Sequence, residues 1–196
     1  MTKQSTAGSE AMVETLAAAI EARDPYTAGH VERVSAIVKV IADEMKIESK
    51  LKHQIVMGAI LHDIGKIGIS DAILQKPGAL NAAESKTMKG HVAMGAEIVA
   101  STDDFSSSVQ SAVYSHHENF DGTGYPENLK GSNIPIGDRI IAVADGFDAM
   151  TTDRPYQKAR SREAAIATLK EQAGTKLDPE VVEAFVRAYE QGKISG

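Results

Sequence analysis

The chain has 196 residues, 42% hydrophobic and 24% charged, which suits one globular core with at most a short extension. A net charge of −6 with no Lys/Arg cluster excludes a general DNA or RNA binder, while a small phosphorylated ligand stays compatible if a metal centre supplies positive field. Cysteine is absent, which removes disulfides and thiolate metal sites and fits a cytoplasmic setting, and neither a signal peptide nor an apolar run near the ~20 residues of a membrane span is present.

Residues 1–8 are small and polar and read as a flexible lead-in, which places the domain at 9–196. Beyond them, helical rather than alternating periodicity recurs. Ser9 can cap a helix carrying Met12, Leu16, Ala19 and Ile20. The next begins near Ala28 and aligns Val31, Val34, Val38, Ile41 and Met45. A third holds Leu51, Ile55, Ala59 and Leu61, runs into His62 and ends at Gly65. Asn81 and Glu84 form a capping box ahead of a helix with Met88, His91, Val92, Gly95, Ile98 and Val99. Val109, Ala112, Val113 and His116 mark another, which stops near Asn119. A strongly apolar helix covers Ile140 to Met150, and Ser161 and Asp178-Pro179 open the last two. Two segments are rich in breakers: Lys76-Pro77-Gly78, and residues 119–137, long enough to expect function there. No strand pair and no internal repeat is visible. The expected architecture is a single compact all-α domain of about eight helices.

Five of the six histidines, His30, His62, His91, His116 and His117, fall at helix ends or on helix faces beside apolar residues. His53 lies among polar neighbours and reads as an ordinary surface residue. Asp63 follows His62 directly, and Asp145 sits inside AVADGFDAM. Each has a plain explanation alone. Core histidines are commonly hydrogen-bonded, His116-His117 can close a helix C-terminus, and Asp145 can pair with Arg139 or Arg154. Taken together they give seven nitrogen and oxygen donors on five helices, enough for two divalent ions with Asp63 as the bridge. Two ions held ~3.5–4 Å apart are a recurring device for hydrolysing phosphate esters. Mixed imidazole and carboxylate donors suit Fe, Mn, Ni, Co or Zn.

The runs LHDIGKIGIS, DAILQKPGAL, the spaced His91, HHENFDGTGYP, IPIGDRIIAVADGFDAMTTDRPY and LDPEVVEAF together resemble the HD-GYP domain, a branch of the HD phosphohydrolase superfamily, from about Asp24 to Phe185. The resemblance implies an all-helical fold, a bi- or trinuclear centre that is often iron or manganese, and hydrolysis of cyclic di-GMP to pGpG or GMP. It puts His30, His62, Asp63, His91, His116, His117 and Asp145 at metal-ligand positions. It also implies that Lys66 faces the substrate phosphate, with Asp63 and Lys66 as the catalytic pair, that Arg154 lies near the phosphodiester, and that Tyr125 sits on the loop that names the family. Lys66 follows Asp63 by three residues past a glycine turn, so its ammonium can reach over the ions. Arg154 offers a fork suited to phosphate oxygens. Tyr125 is expected to shape a substrate wall or a partner-docking loop rather than to catalyse.

Family members with three ions carry a glutamate where this chain has Tyr26, and Asp24 is off the face of His30, so two ions are expected. Two other functions fit the same motifs: a non-turnover module that binds the nucleotide or docks a diguanylate cyclase through 119–135, and an HD hydrolase of another nucleotide phosphoester. The length leaves no room for the receiver or sensor domain that commonly precedes such a domain, which makes these the expected protein partners.

Overall fold

The computed structural model of the chain describes residues 13, 15–23, 28–153 and 158–194. A helical segment, α1 (15–21), leads into α2 (His30–Glu44) and α3 (Ser49–Leu61). A 3-10 turn (Ile64–Gly68) and the short α4 (Asp71–Leu74) follow, then α5 (Ala82–Lys89), α6 (His91–Ala100) and α7 (Ser107–Ser115). After a second 3-10 turn (Gly131–Asn133) come α8 (Ile136–Thr151), α9 (Arg162–Gln172) and α10 (Pro179–Glu190). Among the described residues the one β feature is an isolated bridge, Ala173 to Leu177. The all-α expectation therefore holds. Ser9, Met12, Asp24, Tyr26, Arg154 and the lead-in 1–8 lie outside the described residues.

Side-chain caps set the helix starts. The Asn81–Glu84 capping box is present at α5, Ser161 caps α9, and Asp178 with Pro179 opens α10. α2 has no cap of its own; the Glu21 carboxylate of α1 instead accepts from the Gly29 and Val31 amides, 3.2 and 2.7 Å away. Two details depart from the sequence pattern. The apolar face of α1 is Val13, Ala17 and Ile20, whereas Leu16 is exposed, because the helix turns residues 13, 17 and 20 toward one stripe. The single helix expected through Met88 and His91 is two, interrupted at Gly90, and α6 begins with His91 as its first residue.

The core has two parts. The larger joins α2 (Val34, Val38, Ile41), α3 (Ile55, Ala59), α8 (Ile140, Ile141, Ala144) and α10 (Val181, Phe185), with Ala165 and Leu169 from α9. The smaller gathers Val13 and Ile20 with Leu61, Ile64, Val99, Val109 and Val113. Leu61 and Ile64 flank His62 and Asp63, so the histidine-rich segment lies at the seam between the parts.

Candidate metal centre

Six of the singled-out residues converge as two cages. One donor atom each from His30, His62 and Asp145 lies within 4.8 Å of the others, and the same holds for His91, His116 and His117. In the first, His30 Nε2 is 3.4 Å from His62 Nε2 and 3.6 Å from Asp145 Oδ1. In the second, His91 Nε2 is 3.4 Å from His116 Nε2. Asp63 stands between them, with Oδ2 3.4 Å from His62 Nε2 and Oδ1 3.4 Å from His91 Nε2. One carboxylate thus offers an oxygen to each cage, as expected of a bridge. His53 is exposed and takes no part.

The rings are pre-aimed. His62 Nδ1 is 2.7 Å from the Ala59 carbonyl, His91 Nδ1 2.8 Å from that of Met88, and His116 Nδ1 3.0 Å from that of Ala112. His30 Nδ1 is 2.7 Å from Asp148 Oδ2. An Nδ1–H donated outward leaves the Nε2 lone pair facing the cage, which is how ligating imidazoles are usually held. The donor set and its orientation fit two divalent ions.

Electrostatics divide the two cages: the second holds neutral rings, whereas at the first an ion would displace a proton from His62. Burial pushes His116 well below the ordinary imidazole value and His117 down to about 4, and it lowers His91, so these rings are neutral near pH 7. Burial opposes a charge on His62 too, but the Asp63 and Asp145 carboxylates outweigh it and raise this ring to about 9. For Asp63 burial favours the acid form, yet Lys66 and His62 hold its carboxyl well below the usual range. Lys66 Nζ sits 2.6 Å from Asp63 Oδ2. The most solvent-accessible of these carboxylates is Asp145, whose side chain is 28% exposed, which marks the mouth.

Local packing explains how the backbone reaches this arrangement. A Cβ on Gly65 would stand 1.9 Å from the His91 carbonyl, so only glycine lets the turn after Asp63 lie on the start of α6. In the loop after His117, a Cβ on Gly124 would come within 2.1 Å of the Asn119 amide. The buried Glu118 carboxylate accepts from the Glu127 and Leu129 amides at 2.6 and 3.0 Å and pins that loop. Tyr125 is thereby stacked on the His117 ring, centroids 4.9 Å apart, and Lys89 Nζ lies 4.7 Å from the Tyr125 ring centre. Burial raises the Tyr125 phenol, which keeps it neutral.

Sequence reasoning missed Asp148, Glu118 and Lys89. Asp148 lies one helical turn after Asp145 and also takes Arg33, Nε to Oδ1 2.5 Å. Arg139, considered as a partner for Asp145, instead binds Asp178 and the Ile134 carbonyl. Arg154 lies outside the described residues.

A family profile described as an HD domain matches residues 14–181. The chain belongs to the HD domain family. This HD chain is 39% identical over 179 residues to the 3′3′-cGAMP-specific phosphodiesterase 3 of Vibrio cholerae, covering 91% of this chain and 39% of that protein. It is 41% identical over 177 residues to a cyclic di-GMP phosphodiesterase of Thermotoga maritima, covering 90% of this chain and 48% of that one. It therefore spans less than half the length of these curated relatives. The crystal structure of the cyclic GMP-AMP-specific phosphodiesterase V-cGAP3 from V. cholerae shares the fold, with a TM-score of 0.72 at 21% identity over 93% of this chain and 49% of that one. So does Bd1817, an HDG"Y"P protein from Bdellovibrio bacteriovorus, at 0.68 and 20% identity over 82% of this chain and 51% of that one. Among the described residues no helix is long and apolar enough to cross a membrane.

Proposed function

We propose that this HD domain is a metal-dependent phosphodiesterase that hydrolyses cyclic di-GMP to pGpG or GMP in the cytoplasm. The observation that carries the reading is the pair of cages joined by the Asp63 carboxylate. His30, His62 and Asp145 would hold one divalent ion, His91, His116 and His117 the other, and Asp63 would touch both; iron or manganese suits these nitrogen and oxygen donors. Such ions supply positive charge to a phosphoryl group and an activated water.

The chain's own residues supply the rest. The outward Nδ1 hydrogen bonds keep the rings of His30, His62, His91 and His116 from rotating, so the centre needs little reorganisation during reaction. Lys66, held beside Asp63, donates a charge-assisted hydrogen bond to a non-bridging phosphate oxygen, and that contact strengthens as negative charge develops. Tyr125 walls the mouth and keeps His117 in place, while Lys89 over its ring adds a cation where a dinucleotide would enter. Arg154 is proposed as a second phosphate contact.

A second substrate, 3′3′-cGAMP, is favoured by the 39% identical relative named for it. Turnover of each dinucleotide by manganese- or iron-reconstituted protein, followed by chromatography of the products, tests both. Recovery of no linear dinucleotide and no mononucleotide from either substrate would overturn the enzymatic reading and leave a binding module.

A further inference from the structure

A cavity lies apart from the metal centre. It has a volume of about 590 Å³ and lies on the far side of Asp148. That size is ordinary for small-molecule sites, which span roughly 300–1,000 Å³. One wall is apolar and aromatic, with Ile37, Val40, Phe147 and Tyr189. The lining also includes Glu32, Arg160 and Arg162, with the hydroxyl residues Thr151, Thr152 and Ser161.

The charges are unevenly matched. Arg33 and Lys193, which also border the cavity, are answered by Asp148 and Glu44. Among the described residues the Arg160 guanidinium donates to the Thr168 hydroxyl at 3.3 Å, and no carboxylate forms an ion pair with Arg160 or Arg162. Glu32 and Asp148 are the carboxylates of the lining and Arg33, Arg160, Arg162 and Lys193 the cations, so in a chain of net charge −6 the pocket is locally cationic.

We propose that this cavity is a second ligand site that takes a nucleoside monophosphate, and that its occupancy is felt at the metal centre through Arg33 and Asp148. A planar base can pack on the Phe147 and Tyr189 rings, and a phosphate suits two guanidinium forks that form no ion pair with a carboxylate among the described residues. The connection is short. Arg33 Nε and Nη2 donate to Asp148 Oδ1 and Oδ2 at 2.5 and 3.2 Å, and Oδ2 is 2.7 Å from His30 Nδ1. A phosphate that draws Arg33 into the cavity loosens the carboxylate that orients His30.

Binding is tested without reference to turnover, by equilibrium dialysis of the metal-loaded chain against 5′-GMP. Arg162→Glu should bind one 5′-GMP fewer per chain than the unmodified protein, and Tyr189→Ala should weaken the same event. Guanosine or inorganic phosphate alone should not fill it. Circular dichroism checks that both variants fold, and Tyr189→Ala carries the test if Arg162→Glu does not. Equal 5′-GMP stoichiometry and affinity in all three folded proteins would overturn the site.

The kinetic arm alone rests on the phosphodiesterase reading. At saturating cyclic di-GMP, 5′-GMP should change kcat about fivefold or more in the unmodified protein and leave it unchanged in Arg162→Glu, whose basal turnover is normal. A purely competitive effect in the unmodified protein would sink the coupling and leave the site itself standing on the dialysis.

Discussion

Four imidazoles of the centre lean on Nδ1 hydrogen bonds, and three of the acceptors are main-chain carbonyls that no substitution can delete. The fourth is Asp148, so this support can be removed alone. Asp148→Ala should weaken the ion held by His30, His62 and Asp145 by about 10- to 100-fold, with the other ion retained, as read by elemental analysis at graded free metal. Asp63→Ala should lose both ions and all turnover, while His53→Ala should lose neither. Lys66→Ala should keep both ions but turn over roughly 10- to 100-fold more slowly, because a charge-assisted contact is lost while the ligands stay. Wild-type rate in that variant would return Lys66 to the surface. All seven proposed ligands were legible in the sequence because titratable groups beside apolar helix positions need partners. Asp148 was not. A carboxylate one turn after Asp145 looks like any solvated helical acid, and its partner His30 is 118 residues away.

Elements place these side chains through close backbone contact as much as through apolar burial. The turn after Asp63 rests directly on α6, so Gly65→Ala should cost about 1–3 kcal/mol or more and lower metal content, since His91 is the residue displaced. Gly68→Ala is the comparison. There the added Cβ meets only the Met94 thioether, a flexible neighbour, and thermal melts should separate the two variants clearly. Helix starts were readable where a local side chain caps them, as at Asn81, Ser161 and Asp178. The break between α5 and α6 was not, because apolar residues continue across Gly90 in helical register. The loop 119–135 was expected to carry function. Its order comes from the buried Glu118, for which adjacency to His117 was the only cue in the sequence.

At the scale of the whole molecule, stability should depend on pH through Asp138, which is buried and hydrogen-bonded by Ser111. Burial raises its carboxyl to about 7. A folded value above the unfolded one means stability is fully present below about pH 4 and falls as pH rises toward 7, by roughly 4 kcal/mol at most. Asp138→Asn should remove that decline, visible as a flatter melting temperature between pH 5 and 8. Ions binding only the folded state should also stabilise it, by about 2.7 kcal/mol at a hundredfold excess over Kd, so chelation should lower the melting temperature. The two-part core gives this a further meaning. His30 and Asp145 ride on α2 and α8 of the larger part, whereas His91 opens α6 and His116 ends α7, helices whose Val99, Val109 and Val113 pack in the smaller one. Asp63 is shared by both cages, so the site is also a clasp across the seam. α3 and α7 already join the parts, since each sends side chains into both, and the Asp63 carboxylate adds a polar link beside them. Amide exchange should therefore slow in both parts together when metal is added, and in Asp63→Ala, which loses both ions, added metal should slow neither.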